Sequence, residues 1–127
     1  MAAEKLTLIV QQGLYGVCRL SPSEPVPDWS LSGEFFSVTR TAEEISIVCA
    51  ETQIPPIVLC ERNWRMFKIA GILDFALVGI VAGISAVLAS AQLGIFVLST
   101  YNTDFILVKQ ADFPAAVAAL RAAGHEV

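Results

Sequence analysis

Apolar residues follow two different rhythms along this chain of 127 residues. In the first half they come in short alternating or β-branched runs. Residues 5–10 and 14–20 are parted by Gln11-Gln12-Gly13, and residues 35–40 and 45–50 by a polar break at Glu43-Glu44. Such runs predict strands: the first two are one bent strand or two paired ones, and the last two are a hairpin. Between the pairs, Pro22, Pro25 and Pro27 fix φ and remove backbone donors, so residues 21–34 predict a loop and exclude a regular helix. Ile54-Pro55-Pro56 interrupts again, and the polar cluster around Trp64 puts a boundary near Arg62, dividing the chain into halves 1–61 and 62–127. Trp29 and Trp64 read as packing anchors.

The second half is more regular. Residues 66–73 predict a strand, 74–78 a loop and 79–92 a helix, with Ile80, Ile84, Val87, Leu88 and Ala91 at helical spacing along one face. Its other face carries Ala82, Gly83, Ser85, Ala86, Ala89 and Ser90, so the two faces differ in size more than in polarity. Gly94 is the expected helix stop. Residues 95–100 and 104–109 predict strands about a turn at 101–103. A last helix follows, with Asp112 as its cap, Pro114 in its first turn, Phe113, Val117 and Leu120 on one face, and Gly124 at its end. The final His-Glu-Val is left for a short edge strand at a frayed terminus. The class is therefore α+β, with a ferredoxin-like βαββαβ order in the second half.

An offset of 60 residues lays 36–48 on 96–108, with Glu44 matched to Asp104, and sets the proline-rich loop where the second half has its helix. The first half reads as a degenerate, β-rich copy that has lost its first helix. Glu43 and Glu44 are expected to be a solvated turn.

Between Phe75 and Thr103 there is no charged side chain, and a spanning helix needs about 20 apolar residues, so length alone leaves a membrane segment open. Glycines, serines and alanines dilute the run, its large residues form one stripe, and flanking charges are sparse, with no positive-inside anchor beyond Lys68, all of which favour a buried strand, helix and hairpin. The hydrophobic fraction of 55% and charged fraction of 16% point to a core or subunit interface rich in small residues. The net charge of −4, with no basic patch, excludes a nucleic-acid footprint. Cys18, Cys49 and Cys60 are odd in number and form no CxxC pair, so they read as small buried hydrophobes in a reducing compartment. The opening MAAEKLTLIVQQG has only a four-residue apolar run, too short for a signal-peptide core, which suggests a cytoplasmic address. No nucleophile–base pair, phosphate loop, metal spacing or dinucleotide fingerprint is present, so neither an enzyme nor a cofactor is expected, and His125 has no Cys, Asp or second His partner in sequence.

Three segments carry a resemblance: TRTAEEISIV in the first half, then Trp64-Arg65 with GILDFALVGI, then LSTYNTDFILV. Together they resemble the small tandem ACT-domain proteins, relatives of the ACT repeats of aspartokinases and of the CASTOR arginine sensors. The resemblance implies a regulatory βαββαβ fold that binds amino acids at interfaces between ACT units, a homo-oligomer such as a dimer, and ligand contacts from residues 74–80 and 99–104. The proline-rich loop departs from the family pattern and leaves a second equivalent site open.

Elementary chemistry supports that implication. An amino acid presents a carboxylate and an ammonium. Free N–H groups at the start of the predicted helix suit the carboxylate, and Gly79 permits close approach. Asp104 and Asp74 are candidates for the ammonium or a cationic side chain. Ser99 and Thr100 offer hydroxyls, while Leu77, Val78 and Ile80 can wall an apolar pocket. Each has a plainer role open to it: Asp74 as a turn residue, Asp104 as a strand opener after Asn-Thr, Gly79 as a packing glycine. The expected function is an amino-acid-binding sensor, with a ligand-free interaction module of the same fold as the alternative.

Overall fold

Residues 5–74 and 76–127 are described by the structure, a computed structural model. Phe75, part of the expected 74–78 loop and of the family-like motif, lies outside the described residues, as do the first four residues of the N-terminal stretch. The elements run β1 (Leu8–Val10), β2 (Tyr15–Leu20), β3 (Phe36–Arg40), β4 (Ile45–Ala50), β5 (Cys60–Ile69), α1 (Ile80–Ser90), β6 (Phe96–Ser99), β7 (Asp104–Lys109) and α2 (Phe113–Ala122). The chain divides into two compact units, Gly13–Trp64 on the one hand and Met1–Gln12 with Arg65–Val127 on the other.

In the 13–64 unit, β3 and β4 form the expected hairpin, β4 pairs antiparallel with β2, and β2 pairs with the start of β5. The alternation of β4 buries Ile45, Ile47 and Cys49 against Cys18 and Ile54. The prolines leave only one short 3-10 turn, Asp28–Leu31, whose Trp29 packs on this core. Between the pairs Tyr15↔Trp64 and Val17↔Glu61, β5 holds one residue more than β2. That is a β-bulge, and Asn63 at φ 68 absorbs it.

In the 65–127 unit, β1 pairs antiparallel with the end of β5, β5 lies beside β7, and β7 pairs antiparallel with β6. Ile84 and Leu88 of α1 and Ala116 and Leu120 of α2 pack on Phe67, Ile69, Ile106 and Val108. Phe113 stacks on Phe67 with ring centroids 5.3 Å apart, and the Arg65 guanidinium lies 4.0 Å from the Phe113 centroid. The βαββαβ order of the α+β reading is realised, its last strand reduced to a parallel bridge between Glu126 and Thr7. No helix of the described residues is long and apolar enough to cross a membrane.

Several local expectations are corrected. The 66–73 strand is displaced: β5 starts earlier and stops at Ile69. The helix stop is Gln92, at φ 62, with Leu93 N–H bonded to the Leu88 carbonyl, a Schellman closure that leaves Gly94 without that task. Asp112 makes no side-chain cap, because a 3-10 turn at Gln110–Asp112 leads into α2. The repeat is one residue out of step: Arg40 pairs Ile45 and Ser99 pairs Asp104, so the hairpins correspond at an offset of 59 and Asp104 matches Ile45, not Glu44. The C-terminus is tied down. His125 is 7% exposed, and its Nδ1 accepts the Leu6 N–H at 3.1 Å. Burial, and then the charge of Lys5, lower its pKa and hold the ring neutral.

Candidate functional site

Leu73 ends the approach to the site, and its N–H donates to the Asn102 carbonyl at 2.7 Å, fastening the loop after β5 to the tip of the β6–β7 hairpin. Asp74 accepts the Ala76 N–H on Oδ1 at 2.7 Å and the Leu77 N–H on its carbonyl at 3.0 Å, an Asx-type turn. Gly79 then turns the chain into α1 at φ 80 and ψ 5. A Cβ there would meet nothing within 4 Å, so the backbone conformation requires glycine and packing does not. No side chain caps α1, which leaves first-turn N–H groups pointing out of the helix end with the positive end of its dipole.

The hairpin tip is fixed independently. Thr100 N–H donates to the Thr103 carbonyl at 2.8 Å, and the buried Thr103 hydroxyl donates to the Ile69 carbonyl at 2.7 Å. At its neck the Ser99 hydroxyl donates to the Asp104 carboxylate. One oxygen of each acid is thus held by a neighbour, which orients it without neutralising it.

Helix end and hairpin tip face each other across a cleft of about 350 Å³. Of the residues read from the sequence as ligand contacts, Asp74, Leu77, Gly79, Ile80, Ser99, Thr100 and Asp104 line this cleft. Val78 does not; it is 90% exposed. Sequence reasoning missed Val81 and Ala82, although the first turn of any helix entered at Gly79 had to include them, and Leu73, which looked like a strand residue. Tyr101, Asn102 and Thr103 lay inside the flagged hairpin but were not singled out. The charged residues among the described lining are Asp74 and Asp104, so the cleft combines two acids with the N–H donors of the helix end. Tyr101 of the lining is 81% exposed, and Ile72, next to Leu73 in the chain, is 78% exposed. Among the described residues no group of three His, Cys, Asp or Glu is placed to hold a metal.

A human protein named cytosolic arginine sensor for mTORC1 subunit 1 is 29% identical over 95 residues, covering 66% of this chain; the chain spans only 29% of that relative's length. A crystal structure of an Agrobacterium tumefaciens protein is 40% identical and superposes with a TM-score of 0.92, covering 98% of this chain and 92% of that one. The regulatory subunit of aspartate kinase from Thermus thermophilus, at 10% identity, shares the fold with a TM-score of 0.64, covering 94% and 99% of the two chains. One family model, described as an N-terminal domain, matches residues 13–56. The model of the ACT domain matches residues 59–122, half of the chain, and the protein belongs to the ACT domain family.

Proposed function

We propose that the cleft of the 65–127 unit binds a free amino acid, and that the chain is a non-catalytic regulatory sensor acting in the cytoplasm without a cofactor. The observation that carries this reading is the meeting of an uncapped helix end at Gly79 with Asp74 and Asp104 in one cleft. The helix N–H groups take the α-carboxylate, Asp104 takes the α-ammonium, and Asp74 is left for a cationic side chain. Two acids with no basic partner in the described lining put arginine and lysine first, in keeping with the name of the cytosolic arginine sensor among the relatives. The apolar rim of Ile72, Val78 and Tyr101 suits a second copy of the chain closing over the bound ligand, so the working form is a homodimer. Domain roles follow the same lines: residues 62–127 carry the ligand-binding ACT domain, and 1–61 form the degenerate copy.

Titration calorimetry of the full chain with the twenty amino acids tests this. One basic amino acid should bind, and Asp104→Asn should weaken it about tenfold or more, the size of a lost charge-assisted hydrogen bond. No binding by any of the twenty, or an unchanged affinity in Asp104→Asn, defeats the reading. The second reading, a ligand-free interaction module, draws on the bonds that already engage Asp74 and Asp104 within their own turns. It requires dimerisation without any ligand response.

A further inference from the structure

The three cysteines, unrelated in sequence spacing, gather in the 13–64 unit. Cys18 of β2 stands directly opposite Cys60 of β5 in the antiparallel register, and the two Sγ atoms are 3.4 Å apart. Directly paired residues of antiparallel strands have Cα atoms about 4.5–5.5 Å apart, inside the span of about 4.4–6.8 Å that a disulfide bridges. Gly16 makes the room. A Cβ at that position would lie 2.7 Å from Cys60 Sγ and would also collide with the end of the Ile54 side chain. Cys49 faces Gly16 from β4 and so shares this side of the sheet.

We propose that Cys18 and Cys60 form a reversible intramolecular disulfide when the protein meets a two-electron thiol oxidant such as hydrogen peroxide. Cys60 is half-buried, whereas Cys18 is 2% exposed and Cys49 is fully buried. Burial, and then the hydrogen bond to Cys60, push the Cys18 thiol well above the usual range, and burial pushes Cys49 up to about 11. Cys60 therefore reacts first. Its sulfur attacks one peroxide oxygen, the O–O bond breaks, and the departing hydroxide takes the thiol proton and leaves as water. Cys18 sulfur then attacks the sulfenic sulfur, and the released hydroxide leaves with the Cys18 proton as a second water. The two thiols lose two protons and two electrons in all, and the peroxide accepts them. The bond would staple β2 to β5 inside the 13–64 unit, and it does not depend on any ligand in the cleft.

The test uses the full-length chain, treated with hydrogen peroxide, then unfolded and assayed for free thiols and by peptide mass mapping. Free thiols should fall from three to one, with a peptide pair joined through Cys18 and Cys60, and dithiothreitol should restore all three. Cys49→Ser should keep the link, and Cys18→Ser and Cys60→Ser should each abolish it. If Cys18→Ser does not fold, Cys60→Ser at the more accessible position still decides. A link through Cys49, links only between chains, or oxidation of Cys60 to sulfinic acid with Cys18 left free overturns the proposal.

Discussion

The β3–β4 and β6–β7 hairpins share one plan and differ in what stands beside them. Each turn is closed by a threonine: Thr41 N–H donates to the Glu44 carbonyl at 2.9 Å, and Thr100 N–H to the Thr103 carbonyl at 2.8 Å. Each threonine hydroxyl also accepts turn N–H groups, from Glu43 and Glu44 in the first and from Thr103 in the second. The first hairpin follows a proline-rich loop, and within its unit the described residues form no α-helix. The second follows α1, whose open end faces its tip across the cleft. Identical turn chemistry thus gives a solvated tip in one unit and one wall of a candidate site in the other. A hairpin alone is no site; the opposed helix end supplies the N–H donors that a hairpin tip lacks.

Removing what holds that helix should break the contrast most. Leu88→Ala takes a fully buried side chain from the α1 interface and should cost about 2–5 kcal/mol in chemical denaturation, with loss of the cleft. Next, Thr103→Val should cost about 1–3 kcal/mol, because it strands the buried Ile69 carbonyl. Glu44→Val, at the matching place in the first turn, should change stability by less than about 0.5 kcal/mol. Equal losses at the two positions would mean that the second tip is no more embedded than the first.

Mild acid, above the range where carboxylates titrate, should act on one unit only, since the chain has a single histidine and it lies in the 65–127 unit. Nδ1 must stay unprotonated to accept the Leu6 N–H, and the folded pKa is lowered. The unfolded chain therefore binds the proton more readily. The His125 contribution is complete above the unfolded value of about 6.5 and is lost as pH falls toward the lower folded value. Denaturation midpoints should drop across that window by the equivalent of one hydrogen bond, about 0.5–1.5 kcal/mol. A His125→Gln chain should lose the pH dependence.

The smallest effect compares the two left-handed non-glycine residues among the described residues, Gln92 at φ 62 and Asn63 at φ 68. Gln92→Gly should stabilise by about 0.5–1 kcal/mol, because it removes a Cβ clash, and Asn63→Gly by less, since asparagine tolerates this region. Thermal midpoints of both variants decide the order.

Much of this was legible in the residues because the signals were local. Prolines at 22, 25 and 27 forbade a helix, alternation wrote the strands, and the spacing of Ile80, Ile84 and Leu88 wrote α1. Gly79 stood out as the glycine that opens the predicted helix, and Asp104 as the first charged residue after the apolar run. The failures had non-local causes. Helix closure moved to Gln92 because the Schellman bond was available there despite the strain, and the repeat slipped by one because only the ladder fixes register.

The sequence by itself determined the α+β class, the βαββαβ order and the short list of polar groups, since periodicity, prolines and glycines act on a few neighbouring residues. Tertiary structure alone decided that Val78 stands outside the cleft, that Leu73 joins it, that His125 is buried, and that Cys18 meets Cys60. Each of those depends on strands pairing across long stretches of chain, and hydrogen-bond register carries no mark in local composition.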